Sequence, residues 1–123
     1  MTRTAGRTEM LYTRGKLLCT AKAFGLDAID LVCIDYKNEC ALVEEATEGF
    51  HMGFTGKQAI HPNQVPAIYQ AFTPTPSRVA FAQKIVEGFE KHSLEGKGAF
   101  EVDGKMIDLP MLKWAQGILR LIQ

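Results

Sequence analysis

The fold of this chain is decided by the seven residues AIDLVCI at positions 28–34. The stretch is short, almost continuously apolar and rich in β-branched residues, which is typical of a parallel strand buried on both faces. Asp35 follows it directly, at the carboxyl end of the predicted strand. Ligand sites of parallel sheets and barrels lie at that edge, so Asp35 is a candidate substrate-binding residue. A turn or capping role for its carboxylate is equally compatible with the sequence.

Predicted helices and a second strand surround this stretch. Apolar spacing predicts helices over residues 10–24, ended by Gly25, and over residues 39–52, with Asn38 as N-cap. Lys57–Ile60 is predicted to form a second short strand. Strands that alternate with helices indicate parallel βαβ units and an α/β fold. Two strands are too few for a covered parallel sheet, so we expect the chain to be part of a larger domain.

The charged residues of these first two helices are predicted to face solvent. Arg14 in the first helix and Glu45 and Glu48 in the second are spaced to lie opposite the apolar face. Arg3 and Arg7 are most simply solvated as well, although they could also guard a site.

The second half of the chain changes character. Helices are predicted up to residue 72, with Asn63 as cap, and over residues 76–92, with Thr75 as cap and Pro76 in the first turn. Residues 99–107 are predicted to form a hairpin, because the Asp-Gly pair at its centre fits a type I′ turn. A final helix follows the hairpin. We therefore predict two parts, residues 1–92 with the βα units and residues 93–123 with the hairpin and helix.

Composition and charge argue against several classes of partner. The chain has 123 residues, of which 46% are hydrophobic and 23% charged, as in ordinary globular proteins. Lys plus Arg and Asp plus Glu both number 14, so the chain lacks the basic excess of many nucleic-acid-binding domains. No run reaches the ~18 apolar residues of a membrane span. The spacing of Cys19, Cys33 and Cys40 fits no metal knuckle or CxxC motif, so we expect free thiols.

Three further groups could carry chemistry. Asp108 stands between the hairpin and the final helix, where it is predicted to be an N-cap or an acid/base carboxylate. The loop GFTGK at residues 53–57 lacks the glycine spacing of Walker A, yet Lys57 could lie close to an anion. His61 could orient a substrate or simply hydrogen-bond to the backbone.

Several stretches together resemble a known family. They are RTEMLY at 7–12, AKAFGL at 21–26, AIDLV at 28–32, ID at 34–35, GFTGKQAIHPNQ at 53–64, GKGAF at 96–100 and MIDLP at 106–110. Together they resemble the HpcH/HpaI aldolase superfamily, and within it the citrate lyase beta subunit-like citramalyl-CoA lyases of animal mitochondria. The similarity runs from about Arg7 to the end of the chain. The GKxxIHP pattern is shared by the wider group of CoA-thioester lyases, and MIDxP points to the citramalyl-CoA branch.

The resemblance implies a TIM barrel with a C-terminal lid. A complete barrel needs ~250 residues, so we expect this chain to supply the last barrel units and the hairpin–helix lid. The resemblance also implies a homo-oligomer, a trimer. It further implies a mitochondrial location, with the cytoplasm as the alternative because no transit peptide is recognisable.

The resemblance implies a magnesium-dependent lyase. Such an enzyme cleaves citramalyl-CoA to acetyl-CoA and pyruvate, with a malate or methylmalate synthase side reaction. Mg²⁺ would chelate the keto-acid carboxylate and carbonyl oxygen, and a carboxylate would handle the proton at the methyl carbon of acetyl-CoA. In the family that carboxylate is the aspartate of MIDxP, here Asp108. The family's magnesium ligands, a Glu and an Asp on earlier strands, have no counterpart in this sequence, so we expect the ligands outside it.

The resemblance also assigns substrate contacts. Gln58 and Ala59 match positions near the acyl-CoA, with contacts largely through backbone, and Lys57 and Ile60 flank them. Asp35 matches a strand-end position with weaker support. Two alternatives remain: a non-catalytic module that oligomerises or pairs with a full-length subunit, and a lyase of the superfamily acting on another CoA thioester.

Overall fold

The described part of the chain divides into two compact units. The computed structural model describes residues 2–94 and 100–122. The units are Met1–Phe72 and Thr73–Gln123. The division therefore falls before the long helix of the second half, whereas the predicted boundary at residue 92 falls near its end. The physical reason is packing, since this helix contributes residues to the same apolar core as the hairpin and the final helix.

The first unit contains the predicted parallel βαβ connection. Its elements in chain order are a 3₁₀ turn (Thr8–Met10), α1 (Leu11–Ala23), β1 (Ile29–Asp30), α2 (Glu39–Met52), β2 (Gly56–Lys57), a 3₁₀ turn (Pro62–Gln64) and α3 (Val65–Phe72). β1 and β2 pair in parallel, with Ile29 opposite Gly56 and Asp30 opposite Lys57.

Both strands are shorter than predicted. β1 ends at Asp30 because the next amide, that of Leu31, donates to Asp30 Oδ1 at 2.9 Å instead of joining a ladder. β2 ends at Lys57, short of the predicted limit at residue 60. Burial on both faces was also a wrong prediction, since the Ile29 and Ile34 residues are 59% and 62% exposed.

The helix ends follow local signals. Asn38 Oδ1 accepts a hydrogen bond from the Ala41 amide at 3.1 Å, as predicted for an N-cap. Gly25, just past α1, has a φ of 66°, the left-handed conformation that glycine adopts without strain. One cap differs from the prediction. His61, rather than Asn63, caps the turn before α3, and its Nδ1 accepts from the Asn63 amide at 3.2 Å.

The apolar core of the first unit is small and split. One cluster contains Leu18, Ala28 and Phe54, and the other contains Cys33, Leu42 and Ala67. Buried charged side chains occupy much of the remaining interior of this unit. Their pairing therefore determines how β1, β2 and α2 are held together.

The second unit is a helix, a hairpin and a helix around one core. Its elements are α4 (Pro76–Leu94), β3 (Phe100–Val102), β4 (Lys105–Ile107) and α5 (Leu109–Arg120). The hairpin is confirmed as antiparallel, and Asp103 and Gly104 have φ values of 50° and 77°, both positive as a type I′ turn requires. The core residues are Ala82, Ile85, Phe100, Ile107, Leu112, Ala115 and Ile118. The predicted first hairpin residue and the GKGA segment, residues 96–99, lie outside the described residues.

α4 is the longest helix, with 19 residues. It begins as predicted, with Pro76 in its first turn and Thr75 Oγ1 accepting from the Arg78 amide at 3.4 Å. Within residues 2–94 and 100–122, no helix combines the length and the apolar character needed to cross a membrane.

Candidate functional site

The segments that leave β1 and β2 carry the predicted substrate-binding residues. The Gln58 amide donates to the Asp30 carbonyl at 3.1 Å and extends the parallel pairing by one bond. The next amide, that of Ala59, makes no hydrogen bond within the described residues. Gln58, Ala59 and Ile60 are exposed, as is Asp35 at the exit of β1. This end of the strand pair therefore presents one unpaired backbone donor between exposed side chains.

Gln64 holds the two exit segments together. Its side chain is almost completely buried, and its Oε1 accepts from the Ile60 amide at 2.9 Å while its Nε2 donates to the Cys33 carbonyl at 3.0 Å. Sequence reasoning assigned Gln64 no role, although it lies in the family-like stretch at 53–64. A polar residue in a helical turn is usually solvated, so burial here was visible only in the fold.

Lys57 lies inside the unit rather than at its surface. Its side chain is 1% exposed, and its Nζ donates to the Leu31 carbonyl at 2.8 Å and to Glu45 Oε2 at 3.1 Å. The anion expected near Lys57 is thus the carboxylate of Glu45 in this structure. A direct contact between Lys57 and a CoA thioester stays a prediction.

Glu45 is the centre of a buried ion-pair network. Its carboxylate lies 3.5 Å from Arg3 Nη2, 3.1 Å from Arg7 Nη1 and 3.1 Å from Lys57 Nζ. Arg3 also donates to the Val32 carbonyl at 2.6 Å. The predicted solvent exposure of Glu45 is therefore wrong, because two arginines of the N-terminal segment and one lysine of β2 converge on it. The network joins the N-terminal segment, α2 and β2.

A second buried pair joins α1 to β1. Arg14 binds both oxygens of Asp30, at 3.0 and 2.7 Å, and the two side chains are 6% and 1% exposed. The prediction that Arg14 faces solvent is therefore also wrong. Gly49 of α2 makes room for this pair, since a Cβ at Gly49 would lie 2.5 Å from Asp30 Oδ2. Glu48 bridges the two networks, with Arg7 at 2.8 Å and Arg14 at 3.4 Å.

The network shifts the ionisation of its members. Burial alone would lower the pKa of Arg7, but the hydrogen bond with Glu48 and the charges of Glu45 and Glu48 raise it overall. Burial opposes ionisation of Glu48, yet the hydrogen bond from Arg7 and the charge of Arg14 hold its pKa below the ordinary value. Burial, with the negative charge of Glu45, raises the pKa of the Cys33 thiol, so it is not activated as a nucleophile.

A cleft of about 410 Å³ lies beside this network. It is lined by the N-terminal segment, the exit of β1 and the first turns of α2. Arg3 and Arg7, which the sequence suggested could guard a site, both line it, together with Asp35 and Asn38. Its volume lies in the range of small-molecule sites.

Asp108 lies in the second unit, unlike the other candidates. It is the N-cap of α5, and its Oδ1 accepts from the Met111 amide at 2.9 Å. The residue is exposed, and Oδ2 has no hydrogen-bond partner within the described residues. The predicted cap is confirmed, and one oxygen stays available for a second role.

The described residues do not form a magnesium site. Across residues 2–94 and 100–122, no group of three or more His, Cys, Asp or Glu side chains could hold a metal ion. The buried carboxylates of Asp30 and Glu45 are bound by arginine or lysine, which leaves them unsuited to a divalent cation. Cys19, Cys33 and Cys40 are free thiols, and only Cys33 is buried.

Known proteins resemble this chain over most of its length. The sequence profile of the HpcH/HpaI aldolase/citrate lyase family matches residues 1–62. The mitochondrial citramalyl-CoA lyase of Rattus norvegicus is 50% identical over 92% of this chain and 33% of its own length. The citramalyl-CoA lyase of Homo sapiens is 47% identical over the same shares. Citrate lyase subunit beta of Escherichia coli K12 is 35% identical over 91% of this chain and 37% of its own length. The chain thus spans about a third of the length of these relatives.

Solved structures show the same fold. CitE from Mycobacterium tuberculosis, in complex with magnesium, acetoacetate and coenzyme A, has a TM-score of 0.79 and 31% identity. The match covers 98% of this chain and 45% of CitE. A citrate lyase from Burkholderia xenovorans has a TM-score of 0.76 over 92% of this chain and 35% of its own, at 18% identity, which bears on fold alone. These likenesses confirm the α/β fold class, part of a TIM-type barrel with a hairpin and helix.

Proposed function

The chain belongs to the HpcH/HpaI aldolase/citrate lyase family, and we propose that it acts in a lyase that cleaves citramalyl-CoA to acetyl-CoA and pyruvate. The observation that carries this proposal is 50% identity to a citramalyl-CoA lyase over 92% of the chain. A malate or methylmalate synthase side activity, which joins an acetyl-CoA enolate to a keto acid, belongs to the same proposal. The relatives from Rattus norvegicus and Homo sapiens are mitochondrial enzymes, which supports a mitochondrial location for this protein.

Asp108 is the proton-transfer residue of this proposal. Cleavage transfers the hydroxyl proton to a base, a role that the Asp108 carboxylate can fill and that leaves it protonated, breaks the bond between the hydroxyl-bearing carbon and the CH₂ group, and leaves pyruvate and an acetyl-CoA enolate. Asp108 gives a proton to the enolate carbon, and in the reverse direction its carboxylate takes that proton. The exposure of Asp108 supports this role, because Oδ1 alone accepts the bond that caps α5.

In this proposal, the segment that follows β2 binds the thioester. The unpaired Ala59 amide can donate to a thioester or pantetheine carbonyl, with Gln58 and Ile60 exposed on either side. Gln64 fixes this segment, because its Oε1 accepts a hydrogen bond from the Ile60 amide. Asp35 borders the neighbouring cleft and is a weaker candidate contact. Lys57 anchors the start of this segment inside the unit, because its buried Nζ donates a hydrogen bond to Glu45.

Mg²⁺ has no ligand set among the described residues. CitE, at 31% identity, was solved with magnesium and coenzyme A. That complex supports a magnesium requirement for the proposed lyase, with ligands other than the residues described for this chain.

The alternative is a non-catalytic module that oligomerises or pairs with a full-length subunit. Exposed apolar side chains on and after α1 favour it, since the Leu17, Phe24 and Leu26 residues are 53%, 76% and 61% exposed. A homotrimer is one form of this association and stays a prediction.

Turnover by the purified 123-residue chain tests these proposals. Citramalyl-CoA is supplied with MgCl₂ or with EDTA, and acetyl-CoA and pyruvate are measured. Asp108→Asn keeps an N-cap oxygen but removes the acid/base group, so activity should fall at least 100-fold. Asp103→Asn is the matched control, because its carboxylate is exposed and pairs only at the surface, with Lys84.

The outcomes separate the candidates. Loss of cleavage in Asp108→Asn alone supports the lyase. Binding of citramalyl-CoA without turnover supports the non-catalytic module. Faster cleavage of another CoA thioester favours a different lyase of the superfamily. Measurable cleavage that is equally fast in Asp108→Asn and in the native chain would overturn the assigned role of Asp108.

A further inference from the structure

Two aromatic rings meet at the carboxyl end of the strand pair. Tyr36 follows β1, and His61 opens the turn that follows β2. Their ring centroids lie 5.1 Å apart with an interplanar angle of 23°, which is a stacked arrangement. The two residues come from separate strand exits, so the parallel pairing brings them together.

The ring pair is held in place but left partly open. His61 Nδ1 accepts from the Asn63 amide at 3.2 Å, which fixes the orientation of the imidazole. Tyr36 is 45% exposed, so part of its ring is accessible to a ligand. The ring pair is therefore a pre-ordered surface on which a planar group can stack.

A cation accompanies the rings. Lys37 Nζ lies over the Tyr36 ring, 5.7 Å from its centroid, so its flexible side chain would have to leave the ring to meet a phosphate. Neither an ion pair nor a hydrogen bond engages this ammonium group within the described residues. Asp35 and Asn38, which flank Tyr36 and Lys37 in sequence, line the 410 Å³ cleft. An aromatic surface, a cation and a cleft thus lie along one short segment.

We infer that Tyr36, stacked on His61, binds the adenine ring of a CoA thioester, with Lys37 at its phosphates. The inference rests on the proposed function, which supplies the class of ligand. The chemistry matches, since bases stack on aromatic side chains and lysine binds phosphate as a point charge. The Ala59 amide, at the exit of β2, would then meet the pantetheine or thioester end of the same ligand.

Binding to CoA fragments tests this subsite in the full chain. Calorimetry compares CoA, adenosine 3′,5′-bisphosphate and 4′-phosphopantetheine, which lacks the adenosine. Tyr36→Leu should weaken the binding of CoA and of the bisphosphate about tenfold and leave phosphopantetheine unchanged. Tyr36→Phe keeps the ring and should bind as the native chain does. Tyr12→Leu is the control for loss of an exposed tyrosine elsewhere, since Tyr12 is 77% exposed on α1.

The possible results are distinguishable. CoA binding that is unchanged in Tyr36→Leu overturns the subsite and leaves the proposed function standing. Equal loss of CoA and phosphopantetheine binding overturns it too, because the change then acts on the local fold. A native chain that binds neither CoA nor phosphopantetheine overturns both proposals. Lys37→Gln should reduce the salt dependence of CoA binding, and an unaltered dependence contradicts the phosphate contact.

Discussion

Replacement of Gly49 by alanine tests whether the buried Arg14–Asp30 pair sets the packing of α2 against β1. The added Cβ would lie 2.5 Å from Asp30 Oδ2 and 3.3 Å from its Cγ. The carboxylate is held to Arg14 by two hydrogen bonds of 3.0 and 2.7 Å and is almost fully buried. It therefore cannot move aside without weakening the ion pair.

The expected loss of stability follows from three contributions. Overpacking of a filled interior costs about 1–3 kcal/mol. A strained buried ion pair adds to this, because a fully broken one costs about 3–5 kcal/mol. Alanine in a helix interior gains about 0.5–1 kcal/mol over glycine. We therefore expect Gly49→Ala to lower the free energy of unfolding of the first unit by about 2 kcal/mol.

Urea unfolding followed by far-UV circular dichroism measures this change. Trp114 lies in the second unit, so its fluorescence reports that unit and serves as an internal reference. Gly15→Ala is the matched control, because Gly15 is also inside a helix but has nothing within 4 Å of an added Cβ. That control should be neutral or stabilising. If Gly49→Ala is as stable as Gly15→Ala, the reasoning about the Arg14–Asp30 pair is refuted.

Three further predictions concern the polar groups. Glu48 has a pKa lowered from 4.5 in the folded chain, so the stability it adds is present above about pH 4.5 and is lost as the pH falls through its folded pKa. Urea midpoints between pH 6 and pH 3 should therefore fall less steeply for Glu48→Gln than for the native chain. Asp108→Ala should lower the free energy of unfolding of the second unit by about 1 kcal/mol through loss of the N-cap, with Asp108→Asn close to native, as measured by Trp114 fluorescence. Gln64→Leu leaves two backbone groups without partners and should cost about 2 kcal/mol. It should also speed hydrogen exchange of the Ile60 amide, and unchanged exchange would contradict the role of Gln64 in holding the two exit segments together.

Local sequence determined the element ends. Asn38 and Asp108 each cap a helix through an amide three residues ahead, and Pro76 lies in the first turn of its helix. The Asp103–Gly104 turn follows from the φ values those residues tolerate. Each of these interactions spans only a few residues, so the sequence pattern alone was sufficient to predict it.

Sequence resemblance also identified the family and the candidate Asp108, because the motif at 106–110 is contiguous. It placed Gln58 and Ala59 near the acyl-CoA, within the predicted second strand, whereas in the structure both residues follow β2. Their contacts with substrate remain predictions. The lengths of the strands were not predictable, because side-chain bonds such as Asp30 to the Leu31 amide end the pairing early.

Only the tertiary structure decided which charged and polar side chains are buried and which groups they contact. By residue type and helical spacing, Arg14 and Glu45 resemble solvated residues, yet each is buried against partners as distant in sequence as Asp30 and Arg7. Gln64 likewise reaches a carbonyl 31 residues away. A charge or amide is stable inside a protein only where a partner meets it, and the partner's position is set by the packing of helices on strands. Sequence determines which groups need a partner, and the fold determines which of them find one.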